Sequence, residues 1–109
     1  MGNNKEYRFA YNFLMTNIDH ILLETLAVKP NHGYGLIEQI RKEHKVLLGN
    51  STIYPSLKLL EKHGLVRHHW DTEAARAKKI YMVTEIGRQT VRNQRIAIQQ
   101  ILSKLGPVS

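Results

Sequence analysis

The feature that most constrains this chain is where its periodicity changes. Three stretches with apolar residues at helical spacing come first. Two short stretches of strict alternation follow, and a last long helical stretch closes the chain. Sharp punctuation separates them. NIDHILLETLAV directs Ile18, Ile21, Leu22 and Leu26 to one face and stops before Pro30. HGYGLIEQIRKEH repeats Tyr34, Ile37 and Ile40 at spacing three, with His32 placed to cap it locally. After the loop VLLGN, Gly49 or Asn50 can cap STIYPSLKLLEKHG, where Ile53, Leu57 and Leu60 form the stripe. Gly64 closes that helix where a left-handed residue is wanted, and Pro55 should distort its start. LVRHHWD and KKIYMV then alternate around the turn TEAARA, which reads as a β-hairpin with a basic tip. Thr84 can cap the final helix, from Glu85 to about Leu105.

The expected fold is therefore mainly α with a two-stranded β-hairpin wing: a winged helix-turn-helix with a long C-terminal dimerisation helix. Residues 1–84 would form an N-terminal helical segment plus the DNA-binding part, and residues 85–109 the dimerisation helix, all in one structural domain. The first sixteen residues read two ways. Tyr7, Phe9, Tyr11 and Phe13 alternate as in a strand, yet Tyr7 and Tyr11 also continue through Leu14, Ile18, Leu22 and Thr25 at helical spacing. The continuation favours a helix that runs on into the next segment. A helix with two aromatic faces needs cover on both, and a second subunit supplies it. The last helix carries Val91, Ile98 and Leu105 at spacing seven, with Ile101 and Leu102 beside them. Such a seam seeks another helix. Tyr7, Tyr11, Val91, Ile98, Ile101, Leu102 and Leu105 are the expected dimer contacts.

Charge points to the partner. The 109 residues carry sixteen Lys and Arg against nine Asp and Glu, a net +7. Residues 1–40 hold three basic and four acidic side chains; residues 41–109 hold thirteen and five, so the later part carries all the excess. A polyanion such as double-stranded DNA suits that field. Asn50, Ser51 and Thr52 would meet base edges or phosphates from the start of the third helix. Tyr54 would join them, because Ile53 takes the core direction. Lys58 and Lys62 would flank the backbone, and Arg76, Lys78 and Lys79 would lie on phosphate or enter the minor groove. Imidazolium on the wing would strengthen DNA binding as pH falls towards 6. Arg88, Arg92 and Arg95 share a helix face that is either a solvated stripe or a secondary surface.

Other classes fare worse. The sequence has no cysteine, so no disulfide or thiolate chemistry is available. His68, His69, Asp71 and Glu73 are close in sequence, but neighbouring strand residues point to opposite faces, so no metal is expected. No phosphate-binding glycine loop or nucleophile elbow exists, so no enzyme and no cofactor are expected. No apolar run spans a membrane, MGNNKEYRF has no apolar signal core, and Glu6 stands where a myristoylation signal wants Ser or Thr. A cytoplasmic protein is expected.

The stretch from Ile21 to about Arg88 resembles the PadR family of bacterial and archaeal transcriptional regulators. The resemblance rests on His32-Gly33-Tyr34, on Thr52 to Pro55 in STIYPSLKLLEKHGLV, and on Thr84 to Gly87 after the wing. It implies a homodimeric repressor on an inverted-repeat operator, with each terminal helix against the partner subunit. The single helix after the wing resembles the compact subfamily. The resemblance also implies that a small aromatic or drug-like effector can release the DNA. The terminal helix has no aromatic residue, so Trp70 and the N-terminal aromatics are the better effector contacts. The wing departs from the family pattern: Ala74, Ala75 and Arg76 stand where Gly-Gly-Pro is usual. Two alternatives have distinct signatures. A sequence-tolerant architectural DNA-binding protein would show a steep salt slope without base preference. A winged-helix protein–protein interaction module would tolerate loss of Lys58 and Lys62.

Overall fold

The structure is a computed structural model that describes residues 4–73 and 75–108. The helices are α1 (Asn4–Thr16), α2 (Ile18–Val28), α3 (Gly33–His44), α4 (Asn50–Lys62) and α5 (Glu85–Ser103). The strands are β1 (Asn31–His32), β2 (Val66–Asp71) and β3 (Lys78–Val83).

Residues 4–16 are helical, but the expected continuous run breaks at Asn17. Its side-chain amide donates to the Phe13 carbonyl at 2.8 Å, the same carbonyl its backbone N–H meets at 3.0 Å. A short polar side chain competing for backbone partners is a common cause of such a break. At the other end of α2, Lys29 is extended ahead of Pro30, as the proline ring demands of the residue before it.

The expected two-stranded hairpin is part of a three-stranded antiparallel sheet in the order β1-β3-β2. β2 and β3 pair from Val66↔Val83 to Asp71↔Lys78. β1 adds Asn31↔Tyr81 and His32↔Ile80 on the other edge. Two residues are too few for alternation to announce a strand. His32 stands at the N-cap of α3, but its side chain makes no capping bond. The preceding Asn31 side chain instead accepts from the His32 N–H at 2.9 Å.

Leu22, Leu23, Leu26, Leu36, Ile40, Leu48, Ile53, Leu57, Val46 and Val66 are fully buried. The stripe Ile53, Leu57, Leu60 points inward as its spacing predicts. Tyr34 does not follow Ile37 and Ile40 inward: it is 61% exposed, and Leu36 fills the interior instead. Val46 and Leu48 plug the core from the loop before α4, with Leu47 between them facing out.

α4 runs through Pro55 without ending. It closes in a Schellman turn: Gly64 (φ 75°) donates to the Glu61 carbonyl and Leu65 to the Leu60 carbonyl, both at 3.0 Å. Thr84 ties this turn to α5. Its hydroxyl donates to the Gly64 carbonyl at 2.7 Å and accepts from the Gly87 N–H at 3.0 Å. A Cβ at Gly87 would collide with the Leu65 carbonyl oxygen, so only glycine lets α5 approach this closely.

α5 has two halves. Its first half packs through Gly87 and Val91. Val91, expected in the dimer seam, is only 5% exposed within its own chain's core and is unavailable to a partner. Gln94 bonds the His20 ring, and Arg95 donates to the Glu24 carboxylate through Nη2 at 2.6 Å and Nε at 3.0 Å. Every described residue beyond Gln94 is exposed.

Candidate nucleic-acid interface

With Ile53, Leu57 and Leu60 turned inward, helical geometry leaves Ser51, Lys58 and Lys62 on the opposite face, with Asn50 and Tyr54 at its flank. Asn50 and Ser51 are exposed, and Thr52 is half-buried. Gly49 occupies the N-cap without a side chain to offer, and its carbonyl accepts from Thr52 and Ile53 at 3.1 Å. Lys58 and Lys62 are exposed farther along α4.

The strand pairings sort the wing into two faces. Val66, His68 and Trp70 share one with Val83, Tyr81 and Lys79. Val66 is buried and His68 half-buried, but Trp70 has run past the core and stays 58% exposed. Lys79 Nζ lies 5.4 Å from the Tyr81 ring centre, within cation–π range. Arg76 and Lys78 are exposed. Ala74, where the wing departs from the family pattern, lies outside the described residues.

Between α4 and the wing lies a cleft of about 620 Å³. His32, Gly33, Tyr34, Tyr54, Trp70, Arg76, Lys78 and Lys79 line it. The Tyr54 ring rests on Gly33, where a Cβ would fall 2.5 Å from the ring. The cleft thus collects Tyr54 and the wing cations that the sequence nominated. It adds His32, expected only to cap α3, and Tyr34, whose spacing reads as core rather than as cover for a phosphate. Tyr34 was hidden by its spacing with Ile37 and Ile40, which reads as core. Partial burial, and then the Lys78 ammonium, hold the His32 imidazole below its ordinary range. Trp70, expected at an effector, shares the cleft with the DNA candidates.

His68 is not available to meet phosphate, since its ring bonds the Glu61 carboxylate and packs on Tyr81. The arginine stripe on α5 is partly neutralised: Arg95 pairs with Glu24 and Arg92 with Glu85. Among the described residues no group of His, Cys, Asp or Glu could hold a metal ion. Among them also, no helix is long and apolar enough to cross a membrane.

The remaining exposed apolar surface lies elsewhere. Tyr7 stacks on Tyr11 at 6.3 Å, while Phe9 and Phe13 meet edge-on at 6.0 Å. Tyr11 packs partly on the core. The open groove of about 640 Å³ lies on the other aromatic face, between Phe9, Phe13, Leu14 and Ile21. Ile98, Ile101, Leu102 and Leu105 are exposed along the outer half of α5.

Comparison with known proteins agrees with this geometry. The model of the transcriptional regulator PadR-like family matches residues 22–93. No curated protein matches the chain significantly. Among solved structures, a PadR family transcriptional regulator from Eggerthella lenta superposes with a TM-score of 0.73 at 23% identity, covering 84% of this chain and 80% of that one. A PadR family transcription regulator from Clostridium difficile gives 0.74 at 22% identity, covering 80% and 92%. A PadR-like transcriptional regulator from Bacillus cereus gives 0.75 at 17% identity, covering 84% and 90%.

Proposed function

This chain belongs to the PadR-like family of transcriptional regulators, and on that premise we propose that it is a cytoplasmic, homodimeric repressor that reads an inverted-repeat operator. The observation that carries the DNA reading is the meeting of Tyr54 of α4 with Arg76, Lys78 and Lys79 of the wing on one cleft. Asn50, Ser51, Thr52 and Tyr54 enter the major groove; Lys58, Lys62, Arg76, Lys78 and Lys79 hold the backbone on either side. The uncovered outer half of α5 supports the dimer. Ile98, Ile101, Leu102 and Leu105 pack across the two-fold, with Tyr7 and Tyr11 of α1 nearby. In this division, residues 1–84 hold the N-terminal helical segment and the DNA-binding winged helix, and residues 85–109 form the dimerisation helix.

Two chains carry twice the +7 of one, and the two recognition helices sit one DNA turn apart, roughly 34 Å. Bound at a promoter, such a dimer blocks access by polymerase. A small aromatic effector at Trp70 would compete for the cleft and release the DNA.

Selection from a random duplex pool at physiological salt tests the proposal. The expected result is enrichment of an inverted repeat with half-sites one turn apart. Binding without enrichment would replace it with sequence-tolerant binding. No binding, with or without aromatic compounds, would favour a protein-docking module.

A further inference from the structure

The gap between α4 and the wing is bridged at one end. Tyr54 and Glu61 lie two turns apart on the flank of α4 that faces the wing. At Tyr54 the gap stays open as the cleft already described. At Glu61 the carboxylate accepts a hydrogen bond from the His68 ring of β2 and closes it. Glu61 is the only acidic residue in α4. A carboxylate on a helix that meets DNA repels phosphate, so its place there calls for another use.

The bond stands where the wing has least else to hold it. β3 is paired on both sides, by β1 at Tyr81 and Ile80 and by β2 along its length. β2 is an edge strand. Val66 fixes its base in the core, and beyond it Arg67, His69 and Trp70 are exposed. His68 is half-buried among them. Among the described residues it makes the only side-chain hydrogen bond from the wing to α4. Its ring also packs on Tyr81, 5.8 Å centre to centre, and Lys79 Nζ lies over that tyrosine. Contact thus runs unbroken from Glu61 through His68 and Tyr81 to a wing cation.

We propose that Glu61 and His68 are positioning residues for DNA binding, whose bond fixes the angle between α4 and the wing before DNA arrives. The inference rests on the DNA-binding reading above and gives neither residue a contact with DNA. Its physical basis is preorganisation. α4 and the wing meet different parts of one duplex, so both engage only at one relative angle. A wing that swings holds that angle for a fraction of the time, and the affinity falls by that fraction. A hydrogen bond to a carboxylate, partly withdrawn from water, is strong enough to hold it.

The test turns on a sign. Removing a carboxylate beside DNA ordinarily strengthens binding, because phosphate is repelled less. Here Glu61→Ala in the full-length chain should weaken duplex binding about tenfold, the scale of one hydrogen bond to a charged group. His68→Ala should weaken it equally, and the double variant no further. Glu61→Gln keeps an acceptor at the same reach without the charge, so it should bind at least as tightly as the native chain. Without DNA, backbone amide relaxation should show lower order in β2 and β3 for both alanine variants and native order for Glu61→Gln. Circular dichroism should show the same fold in every variant.

Glu61→Ala binding duplex as tightly as the native chain, or more tightly, would overturn this inference and leave the DNA reading intact. Glu61→Gln as weak as Glu61→Ala would also overturn it, since the charge and not the bond would then be at work. A loss of affinity with unmoved wing order would do the same, by placing His68 on DNA itself. A loss that follows the unfolded fraction would reduce the pair to a stability contact and overturn it too. If the native chain binds no duplex at all, the DNA reading falls and this inference falls with it.

Discussion

Exposed aromatic rings occur in two places on this molecule, and their surroundings differ. Tyr34, Tyr54 and Trp70 stand among Arg76, Lys78 and Lys79. Phe9 and Phe13 stand among Ala10, Leu14 and Ile21, with Lys5, Glu6 and His44 at the groove. The first setting offers flat apolar area ringed by positive charge, which suits a polyanion. The second offers apolar area with mixed charge at its edge, which suits protein, and the outer half of α5 provides a second uncovered apolar surface on the same chain. The rings themselves are alike, so their neighbours must distinguish a surface suited to a polyanion from one suited to protein.

The largest effect should come from the protein-facing side. Ile101→Glu with Leu102→Glu should turn a dimer into a monomer and raise its dissociation constant by about two orders of magnitude or more, since a charge left in a dry interface costs several kcal/mol. Sedimentation equilibrium reads this directly. A dimer that survives both glutamates would remove α5 from the interface. Next comes the joint between the two regions. Gly87→Ala drives a methyl into the Leu65 carbonyl and should cost about 1–3 kcal/mol, the usual range for overpacking. Thermal unfolding would show the drop, and an unchanged midpoint would mean that α5 can back away freely.

A smaller and more local effect is expected from Gly33→Ala. The added Cβ meets the Tyr54 ring, so DNA affinity should fall several-fold while the oligomeric state holds. Equal loss of both would show that the two regions are not separable. The smallest effect is His32. Its pKa is lowered from the ordinary 6.5, first by burial and then by Lys78. The folded chain therefore binds this proton less readily than the unfolded chain. Stability should be unaffected by His32 above pH 6.5 and erode slightly as pH falls below it. Lys78→Ala should weaken that dependence, and an identical pH profile in the variant would dismiss the coupling. Arg95 and Glu24 form a many-bonded pair, but the arginine is largely exposed, so removing it should leave the thermal midpoint almost unmoved.

Much of this was legible in the residues. Pro30, Gly64 and Thr84 act through rules that need no distant partner: a missing N–H and fixed φ, a left-handed residue, a side chain that reaches its own helix. The stripe of α4 was equally plain, because Ile53, Leu57 and Leu60 have one face to share. Asn17 was harder to read, since its amide either caps the next helix or bonds back to Phe13, and both are local. Tyr34 was misleading. Its spacing matches a core face, and only the packing of Leu36 shows that the face is rotated.

By itself, the sequence determined the order of the last three helices and the two wing strands, most of their ends, the excess of positive charge after residue 40 and the motifs that mark the family. All of these arise between residues near one another in the chain, where backbone geometry and side-chain period dominate. The tertiary structure decided what distance in sequence conceals. Asn31 and His32 became a strand only because the Tyr81 and Ile80 backbones lay beside them. Val91 was taken into the core while Ile98, seven residues on along the same seam, stayed uncovered, because the domain beneath α5 ends between them. Tyr34, Tyr54 and Trp70 became one site only when α3, α4 and β2 were packed together. A local pattern shows which residues share a face. Long-range packing settles whether that face is covered, and by what.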